Sequence, residues 1–449
     1  MKSRHGKYYR LKGARPTRRV TIAFLSLVVS MTVVAVAMFY ASQKSSAEAS
    51  SSCIRCHAGL EERLSAPTRG FEHDIHKERG LSCTDCHGGN AVPDDVKESH
   101  DPGHGFVGKP TAEQVPAFCG KCHSDANLMK KFNPSLRVDQ VQEYYTSVHG
   151  TRLKGGDQKV ATCISCHGVH GIRKPDDPES SVYATNVADT CGKCHSDPER
   201  MNAYNIPHDQ MDKYKTSVHA RALYEKHDLS APTCNDCHGN HGAVPPGLTS
   251  VANVCGQCHG RQAGLFKDSP HKDPFEKAQA GECIRCHSNH GIQPPSDTMA
   301  GVGNGSVCTQ CHKDKDDKGF VGAQRIGGGM EKLNTDVQSA GALLDLAERA
   351  GMEVSKPKFD LAEAADALTQ ARVLVHSANP DEVEKALGPG EEVATKSYQA
   401  GVAAFAELAY RRKGLIISLI FILFLASLVY LKIRQIEGKP PFANSPQET

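Results

Sequence analysis

Residues 163–171 read CISCHGVHG. A zinc site, a redox-active dithiol and a c-type haem attachment all begin with two cysteines separated by two residues, so one such pair leaves three readings open. The cysteine count over the chain separates them. All 18 cysteines fall in Cys-x-x-Cys pairs, and each pair is followed at once by histidine. They are Cys53, Cys56 and His57; Cys83, Cys86 and His87; Cys119, Cys122 and His123; Cys163, Cys166 and His167; Cys191, Cys194 and His195; Cys234, Cys237 and His238; Cys255, Cys258 and His259; Cys283, Cys286 and His287; and Cys308, Cys311 and His312.

The spacing has a chemical reason. Two thiols on one turn can each add across a porphyrin vinyl group, and the next side chain then reaches the iron as its proximal ligand. Zinc ribbons do not require a histidine directly after every pair, and a disulfide framework would not repeat one spacing nine times. Nine covalently attached haem c groups are therefore expected.

The nine motifs occupy the 260 residues from Cys53 to His312, one per roughly 29 residues, too little chain for an ordinary apolar core around each. The chain also has no Trp, 40 Gly and 24 Pro. A core built of haem accounts for both facts, because macrocycles and iron–ligand bonds replace the burial that small folds lack. The expected fold class is mainly α and irregular, a multihaem cytochrome with a haem-built core, plus a C-terminal helical segment and transmembrane helices.

The motifs sit in a repeat. CGKCHSDANLM, EYYTSVHG and CISCHGVHG (residues 119–171) are echoed by CGKCHSDPERM, DKYKTSVHA and CNDCHGNHG (residues 191–242), with a looser third copy in CGQCHG, DSPHKD and CIRCHSNHG. Each unit carries two haem motifs and two further histidines. One lies upstream of the second motif (His149, His219, His271), and one lies three residues past the proximal histidine (His170, His241, His290). These are read as distal ligands. A histidine so close to its own proximal ligand can hardly reach the opposite face of that haem, so it is expected to ligate a neighbouring one. The first unit departs from the pattern: His76 takes the upstream place, but Asn90 stands where histidine is expected, and His100 or His104 must substitute. The Cys53 motif draws on His73, the unused one of His100 and His104, His208, His227 or His376. His5 is excluded by its place in the N-terminal tail.

The first 19 residues carry eight Lys or Arg and no acid, and Val20–Tyr40 then runs 21 residues without a charge. That length can span a bilayer, and the basic flank orients the N-terminus to the cytoplasm. A cleaved signal peptide, with Ala47-Glu48-Ala49 as its small-residue site, is the competing reading. A second uncharged stretch, Gly414–Leu431, lies near the C-terminus.

The expected organisation is a basic cytoplasmic tail at 1–19, a transmembrane anchor or signal peptide at 20–41, and a periplasmic nonahaem domain at 42–329. A haem-free helical segment at 330–413, a transmembrane helix at 414–432 and a cytoplasmic tail at 433–449 complete it. In the helical segment, Asp360 and Glu363 have capping-box spacing, Asn379-Pro380 reads as a cap with proline first in the helix, and Gly388-Pro389-Gly390 reads as a break. The segment is expected to be a spacer or stalk, with a docking surface for a membrane partner as the alternative.

The TSVHG and CxxCHGxHG elements with the CGKCHSD phrase resemble the doubled-CxxCH multihaem cytochromes c of anaerobically respiring bacteria, over residues 53–312. The C-terminal segment, with ARVLVH and a final anchor, is similar to the haem subunit of quinol-oxidising cytochrome bc-type complexes of metal-reducing bacteria. That resemblance implies electron transfer from the quinol pool or a cytochrome b partner to periplasmic cytochromes, at the bacterial inner membrane. The alternative is a multihaem reductase or oxidase of the nitrite, hydroxylamine or tetrathionate type with one open iron. Twelve non-motif histidines between His73 and His290 can close nine irons, and no Cys-x-x-Cys-Lys variant is present. Supply therefore favours the conduit. Nucleic acid is not an expected partner: setting aside the eight N-terminal charges turns the formal +2 into −6.

Overall fold

A computed structural model describes residues 51–244 and 251–438. The N-terminal tail, the Val20–Tyr40 stretch, the Ala47–Ala49 site and the last eleven residues lie outside them. The described residues are helix and irregular chain, with no strand. They divide into two units, one holding 51–194 and Cys234–Val244, the other His195–Thr233 and 251–438.

In the haem-motif region the helices are short. The second motif of a repeat forms a single turn, as in Cys83–His87, Cys163–His167 and Cys234–His238. Ser82 with Asp85, and Thr162 with Ser165, close capping boxes over two of these turns. Gly88, Gly168 and Gly239 then end them at φ 66°, 77° and 84°, where a side chain would be strained. That turn sends the chain away from the motif before the next histidine. Fully buried apolar side chains in the first unit stand singly, Val115 and Leu153 among them.

The repeat is visible as recurring contacts. Tyr144 donates its hydroxyl to the Ala161 carbonyl at 2.8 Å, and Tyr214 does the same to Pro232 at 3.0 Å. Ser147 and Ser217 cap the helices Val148–Lys154 and Val218–Tyr224, which carry His149 and His219. The residue before three of the upstream histidines, His76, His149 and His219, donates its backbone N–H to the stretch after a CxxCHxxH element: Ile75 to Ile172 (2.8 Å), Val148 to Ala243 (3.1 Å) and Val218 to Ile292 (2.8 Å). Successive repeats are thereby stitched at the histidines.

The C-terminal part of the second unit has a conventional core. Helix α1 (Lys318–Arg349), helix α2 (Ser355–Leu374) and helix α3 (Pro380–Glu437) form a three-helix bundle. The buried positions step by three and four: Ala323, Ile326, Met330 and Leu333 in α1, Leu361, Ala364, Leu368 and Ala371 in α2, Val383, Leu387, Gly390, Ala394, Ser397, Gly401 and Ala404 in α3. A 3.5-residue repeat is the pattern of a left-handed coiled coil. Arg325 pairs with Asp381 and Glu384, joining the starts of α1 and α3, and Lys358 pairs with Asp345 and Glu348 at the other end.

Three expectations are corrected here. The helical segment begins at Lys318, not 330, and it is packed as a three-helix bundle. Asp360 lies inside α2 and pairs with Lys356 one turn earlier, so it is not a cap; the helix starts at Ser355. Gly388-Pro389-Gly390 is no break, since α3 runs through it. A Cβ on Gly390 would meet Ala367 Cβ at 2.8 Å, so the glycine serves close helix approach, and the buried flanks Leu387 and Ala394 hold the turn around Pro389. Asn379 does cap α3, accepting from Asp381 N at 3.1 Å, with Pro380 first.

Beyond Leu408 the helix leaves the bundle core. It is long and apolar enough to cross a membrane, and the large side chains from Leu415 to Leu431 are exposed.

Candidate haem-binding site

Seven of the nine motif histidines face a second histidine of their own unit at one recurring distance. In the first unit the ring centroids of His57 and His100 are 5.9 Å apart, His76 and His123 6.0 Å, His87 and His170 6.0 Å, and His167 and His241 6.2 Å. In the second, His219 and His259 are 6.3 Å apart, His271 and His312 6.0 Å, and His287 and His376 6.1 Å. Two imidazole nitrogens bound to one metal at about 2 Å each put the ring centroids about 6 Å apart. The gaps are thus the width of one axially ligated iron. The rings meet at interplanar angles from 12° to 88°, so no common stacking geometry explains the shared distance.

The hydrogen bonds agree. A ring that ligates through Nε2 must hold its proton on Nδ1, and a carbonyl facing Nδ1 fixes that tautomer. Nδ1 donates to a backbone carbonyl in His57 (Leu64, 3.2 Å), His87 (Val107, 2.9 Å), His100 (Val96, 2.9 Å), His238 (Val244, 3.2 Å) and His376 (Val373, 2.9 Å). Asp74 takes the same role for His76 at 2.8 Å, and Asp317 for His312. Burial pushes His123, His167, His170, His219, His241, His271 and His287 below their ordinary pKa, favouring the neutral ring that a metal requires.

The thiols of one repeat also converge. Cys119 lies in hydrogen-bond contact with Cys163, Cys191 with Cys234, and Cys255 with Cys283, while Cys53 adjoins Cys83, whose thiol burial pushes up to about 11. No disulfide joins the described cysteines, and all are at least partly exposed. They remain available for thioether bonds. The residues present therefore fit haem c.

The pairing has a direction that spacing did not reveal. The upstream histidines His76, His219 and His271 face the first motif of the following repeat or the final motif, and His170 and His241 face the second motif of the preceding repeat. His149 and His290 hold the corresponding sequence positions, His149 in the helix Val148–Lys154 and His290 just past Ser288. Of the two substitutes considered in the first unit, His100 is the one that faces a motif histidine, that of Cys53. His104 is exposed and lies 3.1 Å from Asp101, at the surface. His376, considered above for the Cys53 motif, faces His287 instead. The signal available for it was an imbalance: no CxxCHxxH element follows the Cys308 motif to serve the Cys283 one.

The doubled CXXCH motif family matches residues 227–264 and 276–317. The multiheme cytochrome MtrA of Shewanella baltica is 25% identical over 233 residues, 49% of this chain and 56% of that protein. The C-type polyheme cytochrome OmcC of Geobacter sulfurreducens is 24% identical over 121 residues, 26% of this chain and 14% of that protein. The chain thus spans about half of one relative and a small part of the other. No solved structure gives a significant match. Motifs and relatives together support a multihaem c-type cytochrome, an electron-transfer protein with covalently bound haem c.

Proposed function

We propose that this protein is a membrane-anchored, periplasmic nonahaem cytochrome that carries electrons in anaerobic respiration, from the quinol pool or a cytochrome b subunit to periplasmic cytochromes. The observation that carries the reading is the set of seven histidine pairs at 5.9–6.3 Å. Histidine on both faces closes the coordination of the iron. Bound there, haem c supplies one-electron exchange and offers no vacant position to a substrate. The chain's own residues set the spacing: the stitched backbone bonds at Ile75, Val148 and Val218 keep the histidines serving different haems within one short segment. The apolar helix at Gly414–Leu431 supports anchoring at a membrane, where quinol is found.

Intact-mass measurement should show nine haem groups, and removing Cys163 and Cys166 together should lower the count by one. Low-temperature electron paramagnetic resonance of the oxidised protein should show low-spin iron almost throughout, and a menaquinol analogue with the cognate membrane partner should reduce most of it. A stoichiometric high-spin signal that shifts with nitrite or hydroxylamine, together with turnover, would move the protein to the reductase class.

A further inference from the structure

The turn between α2 and α3 does something a spacer would not. We infer that His376 is the distal axial ligand of the haem held by Cys283, Cys286 and His287, so that the helical bundle is itself part of the haem chain. The inference rests on the multihaem reading and extends it to a residue outside every motif. The His376 and His287 rings are 6.1 Å apart and within 19° of parallel, the spacing that the other pairs share. Nδ1 of His376 is committed to the Val373 carbonyl at 2.9 Å, leaving Nε2 as the donor.

The local structure holds the ring there. α2 ends at Leu374, a 3-10 turn over Val375–Ser377 follows, and Ala378 turns back at φ 52°. Ser377 Oγ donates to the Leu374 carbonyl at 2.8 Å and accepts from Asn379 N at 3.2 Å. Arg372 grips Asp297 with two hydrogen bonds, 2.7 and 2.8 Å, tying the end of α2 to the segment between the Cys283 and Cys308 motifs. The repeat supplies the reason. In two earlier cases the second motif of a repeat is served from the following repeat, His87 by His170 and His167 by His241. The Cys283 motif is the last second motif in this sequence, and no CxxCHxxH element follows it here. His376 fills that place.

The consequence concerns placement. His376 and His312 both lie beside the starts of α1 and α3, whereas the apolar span begins 34 residues into α3, about 50 Å along a helix rising about 1.5 Å per residue. Ligation by His376 therefore fixes this haem at the end of the bundle remote from the apolar span, a place suited to a water-soluble redox partner.

The test uses the full-length haem-loaded protein. His376→Ala should convert one iron equivalent from low to high spin, with the remaining irons unchanged. His376→Met should restore a low-spin iron of higher potential, because methionine opposite histidine raises it. Unchanged spectra and potentials in His376→Ala would overturn the assignment. So would loss of several low-spin irons in both variants, which would give His376 a purely structural role. A wild-type iron that turns over nitrite would defeat the conduit reading alone and leave the His376 result to stand or fall by itself.

Discussion

Gly319, in the first turn of α1, approaches the imidazole of His312 so closely that a methyl group on its α-carbon would overlap the ring. Asp317 holds Nδ1 of the same histidine. The start of the bundle is thus shaped around a motif histidine. Gly319→Ala is expected to push His312 off its axis and cost one low-spin iron, measurable by electron paramagnetic resonance. Gly328, one face round the same helix, has open space, and Gly328→Ala should leave the spectrum intact while stabilising the bundle by about 1 kcal/mol. Equal behaviour of the two variants would refute the contact.

Gly70 makes the same kind of approach to the backbone of His170, which sits at φ 53°. Backbone yields less than a side-chain tip. Gly70→Ala should therefore move His170 and convert the iron shared with His87, seen as one new high-spin equivalent. Retention of the wild-type low-spin count would show that the segment yields more easily than its geometry implies.

Asp74 is 3% exposed, and its carboxyl accepts from His76 Nδ1, from His76 N and from Ile172 N. Burial alone would raise its pKa, but these hydrogen bonds outweigh burial and hold it below the ordinary 3.8. A lowered folded value means that the stabilisation is present above the ordinary range and lost as pH falls through the folded value. Acid titration should release His76 only below about pH 4, and Asp74→Asn should weaken the site by about 1–3 kcal/mol at neutral pH. A variant with wild-type acid stability and spectrum would contradict this role.

Leu344 is fully buried in the heptad seam of α1. Leu344→Ala should cost about 2–5 kcal/mol of bundle stability, read from thermal unfolding of the helical signal. If His376 ties the bundle to the haem chain, the iron at His287 should lose its low-spin signal in the same transition. Two well-separated transitions would argue that the bundle and that haem are independent.

The sequence by itself determined the chemistry of attachment, because a Cys-x-x-Cys-His group is local: one turn of chain brings both thiols and the proximal histidine to one macrocycle. It also determined the repeat, the apolar span and the Asn379–Pro380 helix start, all readable within a few residues. The tertiary structure alone decided which histidines meet. His76 reaches forward to His123 and His170 back to His87 because backbone stitches such as Ile75 to Ile172 close long loops, and loop closure leaves no trace in spacing. His104 and His376 look alike as lone histidines, each with Nδ1 committed locally. Only packing separates them, since one faces solvent and the other faces His287 across the width of an iron. The Gly388-Pro389-Gly390 stretch carries the same lesson: a local breaker became helix interior because Gly390 is where α3 comes closest to Ala367 and Leu333.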